Sequence, residues 1–192
     1  MIMNLAKNMY YYLSAFDPHL NQLHIQLRWE PPLIHSQFSF ELSAFIAGPR
    51  YVVRSQYDRI SKYQPQSLCK QVQYIGQYYD EADDKMVSTV QVNLADLSMD
   101  IMEINLVAII DNQLKDQRFL DDLSTEMLLL NAVTQKPLAR FSVRPHDAQD
   151  FQHENGLLLL SVERYFNDWK AKIPQKLYPQ AENSFKRSFG MP

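Results

Sequence analysis

Polar and apolar side chains alternate through much of this chain, and that period of two restricts the backbone more than any other feature. Successive Cβ atoms of a strand point to opposite faces, so apolar residues at i, i+2 and i+4 form one buried stripe only if the segment is extended. In QLHIQLRW, Leu23, Ile25, Leu27 and Trp29 share one face while His24, Gln26 and Arg28 share the other. In QFSFELSAFIA, Phe38, Phe40, Leu42, Ala44 and Ile46 alternate with Gln37, Ser39, Glu41 and Ser43. TVQVNL groups Val90, Val92 and Leu94, and PLARFSV groups Ala139, Phe141 and Val143. This pattern predicts Leu23, Ile25, Leu27, Phe38, Phe40 and Leu42 inside, with Ser39 and Glu41 outward or toward a loop end.

INLVAII and MLLLNAV are more continuously apolar, as strands covered on both faces tend to be. GLLLLSVERYF fits strand or helix by pattern alone. Pro31-Pro32 and Gly48-Pro49 end two of the strands. The polar stretch 147–155 reads as a loop, and NQLKDQRFLDDL, residues 112–123, as a helical turn within a long connection. Short strands with frequent breaks predict a mainly β fold, a sandwich of two packed sheets with short helical turns. At 192 residues and 22.6 kDa, with no linker or internal repeat, the expectation is a single domain over 1–192.

A net charge of −3 carries no electrostatic footprint for nucleic acid. A single cysteine, Cys69, excludes an internal disulfide framework and suits a reducing compartment. It is expected to pack as a small apolar residue. MIMNLAKNMYYYLS lacks a sustained apolar core and does not read as a signal peptide. The apolar runs are too short for membrane insertion. The expectation is a cytoplasmic protein. No nucleophile elbow, phosphate loop or zinc spacing is present, and His146-Asp147 and His153-Glu154 stand without a nucleophile motif, so no enzyme is expected.

Several segments together resemble the TerD domain family, the tellurium-resistance and general-stress proteins of bacteria. LHIQLRWEPP is similar to that family's strand ending in Gly-Trp-Asp-Pro, and FSFELSAFIAG to its Phe-Asp-Leu-Asp-Ala-Ser-Ala-Phe. VRSQYD resembles its Val-Arg-Ser stretch. VQVNLADLSMDIMEINLVAIID resembles its Val-Asn-Leu, helical turn and buried strand ending in aspartate. LLLNAVTQKPLARFSV resembles its late hairpin, and FKRSFG its C-terminal end. The order and spacing of these segments extend over almost the whole chain.

The resemblance implies a β-sandwich with calcium sites on loops at one end, and this sequence departs from the family there. Calcium takes six to eight oxygen ligands, mostly from carboxylates. The family's Asp-x-Asp positions hold Ser39 and Glu41, and its Gly-Asp-Asn positions hold Gly76, Gln77 and Tyr78. Its Asp-Asp-Glu run falls on Met86, Val87 and Ser88, and glycines in between fall on Glu81, Asp83 and Lys85. Asp111 keeps the aspartate after the buried strand. The implied calcium positions are degenerate, and neither metal nor cofactor is expected.

Two features of the same region point to a role. Asp80, Glu81, Asp83 and Asp84 form an acidic cluster, read as a solvated loop rather than a shifted metal site, with Lys85 repelling cations. Tyr78 and Tyr79 replace residues of the family's metal loop and are the candidates for a protein interface. The leading expectation is a non-catalytic binding or scaffold protein of a bacterial stress or tellurium-resistance system, with a protein partner such as another TerD-family or stress-system protein. The alternative is a calcium-responsive stress protein using Glu41, Asp80, Asp83, Asp84 and Asp111. The lysines beyond Trp169, together with Arg187, are read as part of a terminal segment wrapping the body.

Overall fold

The computed structural model describes residues 2–30, 39–53, 55–111, 125–143, 154–174, 176–179, 187, 188 and 190. Among these residues, thirteen strands form two sheets. The first sheet contains β1 (Met3–Asn4), β3 (Gln22–Trp29), β6 (Val72–Asp80), β7 (Lys85–Asn93), β9 (Thr125–Asn131) and β10 (Pro137–Val143), in the order β1-β10-β9-β3-β7-β6. The second contains β2 (Tyr10–Tyr12), β4 (Ser39–Ala47), β5 (Arg59–Ile60), β8 (Glu103–Asp111), β11 (Glu154–Tyr165), β12 (Asp168–Lys172) and β13 (Lys176–Pro179). Its order is β2-β12-β11-β8-β4-β5, with β13 pairing the first half of β11 and β12 the second half. Short 3-10 turns at Leu13–Ala15, Pro49–Tyr51 and Gln56–Asp58 complete the predicted mainly β sandwich.

The alternating residues occupy the faces their period predicts. Leu23, Ile25, Leu27 and Trp29 of β3 are buried between the sheets with Leu42, Ala44 and Ile46 of β4. Val90, Val92 and Leu94 join them, as do Ala139, Phe141 and Val143. Phe38 and the side chain of Phe40 lie outside the described residues. The continuously apolar segments are the central strands: β9 lies between β10 and β3, and β8 between β11 and β4. β8 faces the main core with Ile104, Leu106 and Ala108. On its other side, Val107 and Ile109 join a second cluster with Phe45, Leu158 and Tyr178. GLLLLSVERYF, open between strand and helix, is strand β11 as far as Tyr165, with Phe166 in the turn that follows. It pairs with β8 on one side and with β12 and β13 on the other.

Four expectations are corrected. Cys69 is exposed rather than packed, with its Sγ 3.3 Å from Ser67 Oγ. Trp169, Lys170, Lys172 and Lys176 belong to β12 and β13, which are integral to the second sheet and do not form a wrapping segment. Lys170 Nζ rests 3.1 Å from the Tyr165 ring centroid, and Lys172 Nζ 4.9 Å from that of Tyr10, so the exposed rings seat these charges by cation–π attraction. Residues 76–80 belong to a strand and not to a loop. Of the predicted loop 147–155, Glu154 and Asn155 belong to β11 and the rest lies outside the described residues. The predicted turn over 112–123, His146, Asp147, His153 and Lys186 also lie outside them. No described helix is long and apolar enough to cross a membrane.

Candidate functional site

The hairpin of β6 and β7 brings the acidic cluster to one end of the first sheet. Asp80 and Lys85 are its last paired residues, leaving a four-residue turn, Glu81 to Asp84. Asp84 closes the turn with φ 52°, the left-handed conformation that a short polar side chain tolerates. Asp84 Oδ1 accepts the Tyr79 phenol hydrogen at 2.6 Å, and this bond holds the Tyr79 phenol above its ordinary pKa. Asp80 Oδ1 accepts from the Ala82 backbone N–H at 3.1 Å.

The other Asp80 oxygen meets a residue from a different strand. Arg28 Nη2 donates to Asp80 Oδ2 and to Asp83 Oδ2, both at 2.7 Å. Arg28 alternates with the core residues Leu27 and Trp29, so its side chain lies on the outer face of the sheet, only 11% exposed. A guanidinium nitrogen carries two hydrogens, and here each goes to a different carboxylate. Lys85 Nζ meets Glu126 Oε1 at 3.0 Å on the same hairpin's flank. The turn Glu81 to Asp84 is exposed to solvent, as expected, and two of the cluster's carboxylates, Asp80 and Asp83, are in addition ion-paired to a cation supplied by β3.

The remaining members of the alternative metal set lie elsewhere. Glu41 is on β4, on the outer face of the second sheet, and its side chain is 12% exposed. Its Oε1 accepts from Arg59 Nη2 at 3.2 Å and from Ser43 Oγ at 3.1 Å, and Lys62 Nζ lies 4.0 Å from Oε2. Asp111 pairs with Ser39 in the β4–β8 ladder, and its side chain lies outside the described residues. Asp80 and Asp83 meet on Arg28, and Asp84 shares their turn, whereas Glu41 sits on the opposite side of the sandwich. Among the described residues, no three His, Cys, Asp or Glu side chains form a group able to hold a metal ion.

Tyr78 and Tyr79 are 50% and 47% exposed on β6, which is an edge strand of the first sheet. Gly76, at φ 141°, follows the bulge that shifts the β6–β7 register after Tyr74, a backbone conformation suited to glycine.

A cavity of about 580 Å³ opens at another part of the surface, lined in part by Leu13, Ser14, Asp17, Phe166 and Asp168. There Ser14 Oγ donates to Asp168 Oδ2 at 2.5 Å, while the Trp169 N–H donates to Oδ1 at 2.7 Å. Asp17 Oδ2 accepts from Asn131 Nδ2 at 2.8 Å, and that bond lowers the Asp17 pKa. Both carboxylates are engaged in bonds that tie turns to strands.

A family model for the TerD domain matches residues 1–179. The chain belongs to the TerD domain family. Among solved structures, SAV2460, a protein of unknown function, superposes with a TM-score of 0.65 at 11% identity, covering 90% of this chain and 98% of that one. SCO6318 from Streptomyces coelicolor A3(2), a homologue of telluride resistance protein (TerD), gives a TM-score of 0.61 at 13% identity, over 86% of this chain and 95% of that one. At such identities the likeness is one of fold. No curated protein matches the sequence.

Within this TerD domain, the positions where the resemblance implies carboxylates are ladder positions. Met86, Val87 and Ser88 lie in β7 opposite Tyr79, Tyr78 and Gln77, with Val87 and Ser88 buried. The residue that sequence reading missed is Arg28. Its one signal is that it is the single Lys or Arg on the polar face that it shares with His24 and Gln26.

Proposed function

We propose that this TerD domain is a non-catalytic, protein-binding component of a bacterial stress or tellurium-resistance system, and that it has lost calcium binding. Family membership supports the system, and the Arg28 ion pairs carry the loss of calcium. A guanidinium 2.7 Å from both Asp80 and Asp83 supplies the positive charge that a metal would otherwise bring to this turn. A calcium ion there would have to displace Arg28, against like-charge repulsion and without the Asp-Asp-Glu run. With the chemistry absent from the turn, the working surface is the exposed tyrosine-bearing edge beside it.

Calorimetric titration with calcium tests the loss. The expected result is no saturable heat and no rise in melting temperature at millimolar calcium. A ligand bound only to the native state at a hundredfold excess over its Kd would stabilise by about 2.7 kcal/mol. A shift of that size, abolished by Asp80→Asn with Asp83→Asn, would sink the proposal and favour the calcium-responsive alternative.

A further inference from the structure

The free edge of β6 has bounds that suit a particular occupant. Its first residues are already covered: Gln66 bridges to Gln73, and the Tyr74 N–H donates to the Pro65 carbonyl at 2.7 Å. At the other end, Asp80 is held by Arg28 and begins the turn. Between these limits, Ile75 to Tyr79 pair with no described strand on their outer side. Ile75 is the bulged residue, and Gly76 to Tyr79 are regular. An edge residue turns every second N–H and C=O outward, a ready template for another strand. Natural edges are commonly blunted with lysine or proline. Here residues 75–79 read Ile-Gly-Gln-Tyr-Tyr, with no charge and no proline.

We propose that this stretch pairs antiparallel with the same stretch of a second copy, about a twofold axis at Gln77. The inference deepens the protein-binding reading above by naming the partner surface. The midpoint of Ile75 to Tyr79 is Gln77, so full overlap of the two free edges sets Gln77 against Gln77. That register sets Tyr78 of each copy opposite Gly76 of the other, and Tyr79 opposite Ile75. A Cβ built on Gly76 meets no atom within 4 Å, so the space above it is open to a ring from across the strand pair. Cross-strand aromatic–glycine and aromatic–aliphatic pairs are the contacts that stabilise such ladders. Uncharged residues at every paired position leave no like charges opposed in a symmetric dimer. Exposed Tyr63 and Leu68, on the segment running alongside β6, add apolar surface at the margin. The pairing would be isologous, joining the first sheets of two copies into one.

Sedimentation velocity across a micromolar to submillimolar concentration series reads the association. Only a residue on the twofold axis faces itself. Gln77→Lys alone and Gln77→Glu alone should each weaken self-association about tenfold or more, because like charges then stand directly opposed. An equimolar mixture of the two variants should restore the dimer. Gln77 is exposed on the free edge, so both variants should keep the wild-type melting temperature as monomers, and the second serves if one fails to fold. A wild type that stays monomeric throughout, a dimer indifferent to both charges, or a mixture that fails to associate would each overturn the pairing. None of these outcomes alters the calcium titration, which tests the broader reading separately.

Discussion

A single guanidinium nitrogen can give its two hydrogens to two carboxylates, as Arg28 Nη2 does here, whereas calcium needs six to eight oxygens around it. That difference lets Arg28 settle an acidic turn with two contacts. The carboxylates were visible in sequence, and their reading as a non-metal cluster rested on charge alone. Their partner was not visible, because Arg28 lies 52 residues from Asp80 and only strand pairing brings them together. A second charged group on the ladder has a measurable pH signature. Glu103 on β8 lies directly across from Glu163 on β11. Burial pushes the Glu103 carboxyl up, the Glu163 charge pushes the same way, and Asn105, Ser161 and Lys172 offset only part of this. A carboxyl with a raised folded pKa holds its proton more tightly when folded. Its contribution is therefore fullest below the ordinary glutamate range and is lost as pH rises through the folded value. Glu103→Gln should raise stability by about 0.2–1 kcal/mol at neutral pH, the scale of an opposed like-charge pair, and by nothing at pH well below that range. Urea unfolding at the two pH values checks it, and a variant no more stable at neutral pH would refute the sign.

Strand β6 is the element whose character sequence reading misjudged. The resemblance to the family's metal loop places Tyr78 and Tyr79 in a loop, yet Gln77 to Tyr79 continue the ladder against Met86 to Ser88, and tyrosine favours strands. Losing the loop glycines favours this, since the backbone no longer has the freedom to leave the sheet. Elsewhere the period-two pattern placed β3, β4, β7 and β10 correctly. It understated β4, whose Ser43 and Phe45 are also buried, Phe45 in the outer-face cluster with Val107, Leu158 and Tyr178. Such cover comes from distant strands and leaves no local trace. For β6 the double change Tyr78→Ala with Tyr79→Ala separates two roles. Both rings are about half exposed, so the unfolding free energy should change little. Association through this edge should weaken by about 2 kcal/mol or more if the rings are its anchors. A lowered melting temperature with unchanged association would make them struts of the fold instead.

At the scale of the molecule, the two sheets share their closure with two short strands from early in the sequence. β1 runs parallel to β10, with Met3 opposite Ala139, and β2 lies against β12, with Tyr11 opposite Ala171. Neither has a partner until residues more than a hundred positions later are in place. Contacts of such sequence separation form slowly, because loop closure precedes any reward from pairing. During synthesis the segment Met3 to Tyr12, with its methionines and three consecutive tyrosines, therefore emerges long before either strand it pairs with. A ribosome-bound chain arrested before Asp168 should leave Tyr10 to Tyr12 open to chymotryptic cleavage, and one extended past Lys172 and clear of the exit tunnel should protect them. Equal cleavage at both lengths would show that β2 docks by some other route. For a cell making this protein, that interval is when a sticky, unpaired N-terminal stretch most needs a chaperone's attention.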